Sequence, residues 1–155
     1  MINVLFVCLG NICRSPMAEA LFRNEVAQSG LLEEINIDSA GTASWHTGKM
    51  PHEGTRAILD DHDVSYENMS ARQINQSDWH KFDYIITMDD QNMIDIKKEY
   101  NINTNVVFKK LMDYIENPQE ENVPDPYYTG DFNYTYELVL EGVKSLLIEI
   151  KKDKL

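Results

Sequence analysis

Cysteine is scarce in this sequence. Of 155 residues only Cys8 and Cys13 are cysteines, and both lie in the opening stretch. Two neighbouring thiols do not provide the disulfide framework on which small secreted proteins depend. We therefore expect these thiols to take part in chemistry, and we expect a reducing, cytoplasmic location.

Basic residues are also few. Lys and Arg together number 14 against 26 Asp and Glu, which gives a formal net charge of −12. A surface this negative repels the phosphate backbone of nucleic acids and the headgroups of acidic membranes. Nucleic acid is therefore not an expected partner.

Long apolar runs are missing as well. The run Val4 to Cys8 has no basic flank and is too short for the core of a signal peptide, and no run approaches the roughly 20 residues of a membrane-spanning helix. No membrane span is expected. A composition of 43% hydrophobic and 26% charged residues predicts one compact domain, residues 1–155.

Short apolar segments alternate with helical patterns along the chain. Strand character is found in residues 4–7, 35–39, 84–88 and 106–108, and helical spacing follows Ser15, covers residues 53–61, passes through residues 93–97 and dominates residues 136–150. Strands alternating with helices predict an open parallel α/β sheet. In such sheets ligands bind beyond the carboxyl ends of the strands, where Cys8 is expected.

The most informative stretch, residues 4–16, reads VLFVCLGNICRSP. Gly10 and Asn11 can adopt the positive φ angles of a tight loop, and a following helix N-terminus offers backbone N–H groups to an anion. Arg14 adds a planar fork that suits two oxygens of a phosphate. The sequence predicts a loop for a tetrahedral oxyanion, made of Leu9, Gly10, Asn11, Ile12, Cys13 and Ser15.

The same surroundings favour a thiolate at Cys8, which could attack phosphorus while Arg14 and the backbone amides hold the phosphoryl oxygens. Ser15 is expected to cap the helix, with Pro16 at its first position, and to hydrogen-bond the thiolate. The alternative is a buried structural cysteine before an ordinary helix, which a bare Cys-x5-Arg spacing alone would favour. No metal site is expected, because ligands do not cluster in the sequence.

Two segments, VCLGNICRSPMAEA and DPYY, resemble the low-molecular-weight protein tyrosine phosphatase family in its bacterial type. SAGTASW, FDYIITMD and VPDPYYTGDF resemble further family segments, in the family's order. The resemblance implies a flavodoxin-like, phosphotyrosine phosphatase I type fold, with a four-stranded parallel sheet and helices on both faces. It also implies hydrolysis of phosphotyrosine through a cysteinyl-phosphate intermediate, without a cofactor.

The resemblance further assigns roles to individual residues. Cys8 is the nucleophile, Arg14 binds the phosphoryl group, and Asp125, held between two prolines, is the general acid and then the base. Aromatic walls of the pocket are Trp45, Tyr127 and Tyr128, and hydrogen-bonding braces of the loop are Asn11, Ser39, Asp89 and Asn92. Core packing is the alternative for Trp45. The four histidines, His46, His52, His62 and His80, are interpreted as surface or packing residues.

One departure from the family pattern concerns Met69, which stands where many family members carry a histidine, so the chain has no histidine at that place to brace the loop. Substrates are expected to be phosphotyrosine proteins, with a bacterial tyrosine kinase as a partner. The protein is expected to be a monomer.

Oxidation could pair Cys8 with Cys13 and protect the nucleophile, and Tyr127 and Tyr128 could be phosphorylated.

Three alternatives to a tyrosine phosphatase stay open. A protein arginine phosphatase of the same family tends to carry threonine at the place of Ile12 and to lack the paired tyrosines. A thioredoxin-coupled arsenate reductase needs more cysteines than this chain has. A non-catalytic phosphotyrosine-binding module would need neither the nucleophile nor the acid.

Overall fold

A single parallel sheet of four strands forms the centre of the computed structural model, which describes residues 1–155. The strands are β1 (Ile2–Cys8), β2 (Ile35–Gly41), β3 (Tyr84–Thr87) and β4 (Val107–Lys110), in the order β2-β1-β3-β4. All neighbouring pairs run parallel. The predicted open parallel α/β sheet is confirmed.

Six α-helices and one 3-10 helix accompany the sheet. They are α1 (Arg14–Gln28), α2 (Glu53–Asp61), α3 (Asp78–Lys81), α4 (Asp90–Glu99), the 3-10 helix (Leu111–Tyr114), α5 (Pro126–Thr129) and α6 (Phe132–Lys154). None of these helices has both the length and the hydrophobicity to cross a membrane. The three four-residue helices were not predicted, because so short a segment shows no helical period.

Helices cover both faces of the sheet, as expected. Val4 and Phe6 of β1 belong to a core cluster shared with α1 and α6. Leu5 and Val7 belong to a second cluster with Trp79 of α3 and Ile96 of α4. Because successive side chains of a strand point to opposite faces, a fully apolar strand such as β1 serves two cores at once.

The start of α1 differs from the prediction. The helix begins at Arg14, and Cys13 occupies the capping position without a side-chain cap, so that Ser15 and Pro16 lie inside the first turn. The prediction of Ser15 as the cap and Pro16 as the first helical residue is wrong. Proline is tolerated throughout this turn because its missing N–H has no partner within the helix.

The strand order places the expected site. The chain moves outward from β1 in one direction to β2 and in the other to β3, so the carboxyl ends of β1 and β3 border the crevice where such sheets bind ligands. Cys8 ends β1, and Asp89 follows β3 at the start of α4.

Candidate active site

The loop after β1 is tied to the chain that follows β2. Thr42 N–H donates to the carbonyl of Cys8 and Ala43 N–H to the carbonyl of Leu9, both at 2.9 Å. A Cβ atom on Gly41 would lie 2.8 Å from the Leu9 carbonyl oxygen, so only glycine permits this approach. The position of Cys8 is therefore set by β2 as well as by β1.

The backbone of this loop leaves its donors free. None of the N–H groups of residues 10–13 donates a hydrogen bond to another group of the protein, although residues 11–13 are buried. Buried backbone N–H groups are nearly always paired, so a run of unpaired ones beside a helix N-terminus is suited to an anion. Cys8, itself buried, stands at the beginning of this run.

Asn11 holds the loop in shape. Its φ angle of 55° lies in the left-handed region, which asparagine tolerates better than most residues. Its amide group donates to Ser15 Oγ at 2.7 Å and to Ser39 Oγ at 2.9 Å, and its oxygen accepts from Arg72 N–H. Every polar atom of this buried side chain is thus satisfied.

Gly10 does not share this conformation, and the prediction of a positive φ angle there is wrong. Space explains the glycine instead, because a Cβ atom would lie 3.0 Å from Cδ2 of His46. The imidazole of His46 therefore packs over the loop.

Ser15 links the brace to the thiol. Its Oγ lies 3.1 Å from Cys8 Sγ, and it accepts a hydrogen bond from Asn11. The acceptors within reach of the serine hydrogen are the sulfur and, at 3.4 Å, the Ala40 carbonyl. Donation to the sulfur is the contact expected between these side chains. A hydroxyl that donates to a thiolate stabilises its negative charge.

Arg14 is buried and firmly held. One terminal nitrogen donates to Asp89 Oδ2 at 2.6 Å and to the Val123 carbonyl at 2.8 Å, while the other lies 3.4 Å from Asp125 Oδ2. The Nε–H has no partner within the protein. Burial by itself lowers the pKa of Arg14, but nearby negative charges, with Cys8 and Asp125 contributing most, outweigh it and raise the pKa.

Asp89 and Asn92 form a capping box at the start of α4. The Asp89 carboxylate accepts from Asn92 N–H at 2.8 Å, and Asn92 Oδ1 accepts from the N–H groups of Met88 and Asp89. This arrangement orients the carboxylate that binds Arg14. Both residues lie behind the arginine, and Asp89 holds it directly.

Asp125 lies at the mouth of the site. It caps α5, with Oδ1 accepting from Tyr127 N–H at 3.0 Å and Pro126 buried behind it. Its other oxygen faces Arg14, and its side chain remains 20% exposed. The hydrogen bond from Tyr127 N–H therefore fixes Oδ1 of Asp125, whereas Oδ2 remains on the side of Arg14.

A cavity of about 240 Å³ brings most of the predicted residues together. Trp45, Tyr127 and Tyr128 form exposed walls, with 66%, 53% and 72% of their surface accessible, so Trp45 is not a core residue. The full lining consists of Cys8, Leu9, Gly10, Ile12, Cys13, Trp45, His46, Asp125, Tyr127 and Tyr128. Asn11, Ser15 and Ser39 do not line the cavity, and Asn11 hydrogen-bonds to both serines.

Two participants were missed by sequence reasoning. His46 lines the cavity, and its position next to Trp45 was the available signal. Glu19 is buried in α1, where it accepts from Ser39 Oγ at 2.6 Å and from Arg23 at 2.8 Å. Burial raises the pKa of Glu19, and the two hydrogen bonds partly oppose that rise. The i, i+4 spacing of Glu19 and Arg23 could have indicated this pair.

Glu19 extends the hydrogen-bonded chain that runs from Cys8 through Ser15, Asn11 and Ser39.

Met69 is half-buried and packs against the core, beside a crevice that Asn11 and Ser39 also line.

Cys13 is a second free, buried thiol of the loop. Burial first, and then the negative charges of Cys8 and Asp125, raise its pKa to about 12, although the positive charge of Arg14 opposes the rise. It is therefore a neutral thiol near pH 7.

No group of three or more His, Cys, Asp or Glu side chains is placed to ligate a metal ion.

A buried thiol, a loop of unpaired N–H groups and a buried arginine at the end of the first strand form the arrangement expected of thiol-based phosphatases. A family model for low molecular weight phosphotyrosine protein phosphatases matches residues 3–155. The chain belongs to this family. The resemblance found in the sequence is therefore confirmed, as is the expectation of an enzyme of this kind.

Close relatives are bacterial. The chain is 48% identical over 154 residues to the low molecular weight protein-tyrosine-phosphatase YfkJ of Bacillus subtilis, covering 99% of each chain. It is 42% identical over 153 residues to PtpA of Staphylococcus aureus, covering 99% of this chain and 96% of PtpA. The crystal structure of YfkJ superposes with a TM-score of 0.97 over 100% of this chain and 98% of YfkJ.

A relative that is named for a different activity is also similar. The crystal structure of the drosophila arginine phosphatase has a TM-score of 0.89 and 33% identity, covering 99% of this chain and 100% of that one.

Proposed function

We propose that this enzyme hydrolyses phosphotyrosine in proteins through a phosphoryl intermediate on Cys8. The observation that carries the proposal is the cavity in which the Cys8 thiol and the Asp125 carboxylate meet between exposed aromatic walls. Flat rings suit a phenyl group, and the unpaired N–H groups of the loop suit its phosphate. YfkJ and PtpA, both named as tyrosine phosphatases, support the same substrate class.

In the first step the Cys8 thiolate attacks phosphorus, and the bond from phosphorus to the phenolic oxygen breaks. The electron pair stays on that oxygen, which takes the proton of Asp125 and leaves as tyrosine. Arg14 Nε–H and the N–H groups of residues 10–13 are free to bind the phosphoryl oxygens as their charge shifts.

In the second step water attacks the phosphorus of the cysteinyl phosphate. Asp125, now a carboxylate, takes a proton from this water, and the bond from phosphorus to sulfur breaks. The electron pair returns to Cys8, where Ser15 Oγ lies 3.1 Å away to stabilise it, and inorganic phosphate leaves.

Turnover of a phosphotyrosine peptide by the natural enzyme, Cys8→Ser and Asp125→Asn tests this mechanism. Cys8→Ser should abolish turnover. Asp125→Asn should lower kcat by about 10²- to 10⁴-fold, because both proton transfers lose their group. The loss should be smaller with p-nitrophenyl phosphate, whose leaving group needs less protonation.

Asp61→Asn, which alters an exposed carboxylate at the end of α2, is the matched control and should keep full activity. Rapid quenching followed by mass spectrometry should find a phosphoryl group on Cys8. Turnover that survives Cys8→Ser would contradict the proposal.

Phosphoarginine is the second candidate substrate, because the drosophila arginine phosphatase shares this fold and a third of the sequence. Ile12 at the cavity and the pair Tyr127 and Tyr128 favour phosphotyrosine. Both peptides should be assayed side by side, and a higher kcat/KM for phosphoarginine would replace the proposed substrate class.

The cytoplasmic location, the monomeric state and the bacterial tyrosine kinase as partner stay predictions.

A further inference from the structure

A second groove adjoins the catalytic cavity. It has a volume of about 620 Å³ and shares Ile12, His46 and Tyr127 with the cavity. Its outer part is lined by α2 and the segment before it, including Lys49 and Arg56. A substrate chain leaving the cavity on this side would therefore enter the groove.

The groove concentrates positive charge that the protein itself does not neutralise. Neither Lys49 nor Arg56 has a carboxylate within ion-pair distance, although the chain carries a net charge of −12. Glu53 is the single acidic residue of the lining, and it pairs with neither cation. Two unpaired cations in one groove of an acidic protein indicate an anionic ligand.

Both cations are oriented by neighbouring groups. Arg56 Nε–H donates to the Pro51 carbonyl at 2.9 Å, which fixes the guanidinium while its two terminal nitrogens make no hydrogen bond within the protein. Lys49 Nζ lies 3.3 Å from Nδ1 of His46, the residue that packs over Gly10.

The groove is also fixed relative to the catalytic loop. His52 N–H donates to the Ile12 carbonyl at 2.7 Å, and the His52 ring caps α2 by accepting from Gly54 N–H. The same ring stacks on Phe132, with ring centroids 5.2 Å apart. A ligand held by Lys49 and Arg56 would therefore keep a constant register with the phosphate loop.

We propose that this groove binds the carboxylate of an Asp or Glu side chain that lies near the phosphotyrosine in the substrate. The inference rests on the proposed function, because it assigns a sequence preference to the same reaction. An extended chain advances about 3.3 Å per residue, so an acidic residue only a few positions from the phosphotyrosine can reach an adjoining groove. Exposed pairs of opposite charge are individually weak, so two cations predict a preference of about three- to tenfold.

The test is a peptide scan. Each peptide carries one phosphotyrosine, and a single Glu is moved through the three positions on either side of it, with Gln as the uncharged match. For the natural enzyme, kcat/KM should be about three- to tenfold higher for Glu than for Gln at one or two neighbouring positions, and added salt should reduce this ratio.

Variants assign the preference to the groove. In Lys49→Gln/Arg56→Gln the ratio of Glu to Gln peptides should fall to about one. Because the ratio is taken within each variant, a general loss of activity cancels. Arg56→Lys retains the charge and should retain most of the preference. The matched control is Lys152→Gln/Lys154→Gln at the exposed end of α6, and its ratio should equal that of the natural enzyme.

The possible failures can be told apart. A ratio of one at every position, with normal turnover of the peptides, overturns the groove assignment and leaves the tyrosine phosphatase intact. A preference that survives in Lys49→Gln/Arg56→Gln also overturns it. Absence of turnover of every phosphotyrosine peptide overturns the proposed function itself.

Discussion

Ser15 Oγ lies 3.1 Å from Cys8 Sγ and accepts a hydrogen bond from Asn11, so its own hydrogen can be directed to the sulfur. A hydrogen bond to a charged group contributes about 1.5–3 kcal/mol, and in the proposed mechanism it would act when Cys8 leaves the phosphorus. Ser15→Ala should therefore lower kcat by about 10- to 100-fold.

The slowed step should be hydrolysis of the phosphoenzyme. Stopped-flow measurement with p-nitrophenyl phosphate should show an initial burst of phenol larger than in the natural enzyme, followed by slow steady turnover. A reduced burst with an unchanged steady rate would contradict this role of Ser15.

Asp89 has two functions that substitution can separate. It binds Arg14 at 2.6 Å and caps α4 through Asn92 N–H. Asparagine caps a helix about as well as aspartate, but it lacks the charge that holds the arginine. Both Asp89→Asn and Asp89→Ala should therefore lower kcat/KM by about tenfold or more.

Stability distinguishes the two variants. Asp89→Ala should unfold at a lower urea concentration than Asp89→Asn, by about 0.5–2 kcal/mol in the free energy of unfolding, because only alanine removes the cap. Equal stability of the variants would show that the capping bond contributes nothing.

Glu19 should make folding stability depend on pH. Burial raises its pKa above the ordinary value of 4.5, so the folded protein binds the proton more tightly than the unfolded chain. This contribution to stability is complete below pH 4.5 and is lost as pH rises through the raised pKa. Glu19→Gln removes the titration, so the stability of the variant relative to the natural protein should improve as pH rises over that window.

Urea unfolding midpoints at a series of pH values measure this difference. Glu137→Gln, at an exposed position of α6, is the control and should show no such trend. A stability difference for Glu19→Gln that is independent of pH would contradict the prediction.

Cys13 should protect an oxidised nucleophile slowly at neutral pH. Condensation of a Cys8 sulfenic acid with the Cys13 thiol forms a disulfide and releases water, and the attacking species is the Cys13 thiolate. Because burial raises the pKa of Cys13 to about 12, the thiolate fraction should rise about tenfold for each pH unit between 7 and 9.

After brief peroxide treatment, mass spectrometry should find a Cys8 to Cys13 disulfide whose share, relative to trapped sulfenic acid, increases with pH. Cys13→Ser should instead accumulate sulfinic acid on Cys8. Absence of the disulfide at every pH would rule out the protective pairing.

Substitution by alanine should affect different properties at the two tryptophans, substrate binding at Trp45 and stability at Trp79. Trp45 is 66% exposed at the cavity, whereas Trp79 is 1% exposed within the core. Trp45→Ala should change the free energy of unfolding by less than about 0.5 kcal/mol, yet it should raise KM for phosphotyrosine peptides. Trp79→Ala should cost about 3–5 kcal/mol of stability. A stability loss of that size in Trp45→Ala would show that Trp45 packs in the core and would contradict this prediction.

Local patterns accounted for much of the fold and for the centre of the site. The apolar run before Cys8 predicted β1, and the turn, arginine and helix that follow predicted the loop, because all of these features lie within a few residues of one another. Asp125, Tyr127 and Tyr128 came from resemblance rather than from spacing, since the sequence separates them from Cys8 by more than a hundred residues. Trp45 is nearer in the sequence, but no local pattern links it to Cys8, and it too came from resemblance.

Contacts between distant residues were beyond such reasoning. Arg72 N–H reaches Asn11 across 61 residues, and the Val123 carbonyl reaches Arg14 across 109. Neither contact has a local signal, because each depends on where the chain returns after crossing the sheet. The need for glycine at position 10 has no local signal either. A side chain there would collide with His46, whereas the backbone φ angle itself does not require glycine.

The amino-acid pattern alone was sufficient for the parallel sheet, the thiol at the end of β1 and the tight loop that follows it, since strand character, turn preference and helix starts are properties of neighbouring residues. Only the tertiary structure decided three other features. They are the buried series of hydrogen bonds that links Ser15 to Glu19 through Asn11 and Ser39, the ion pair of Asp89 with Arg14, and the groove beside the cavity. Burial, hydrogen-bond partners and unpaired charge exist only once segments far apart in sequence pack together.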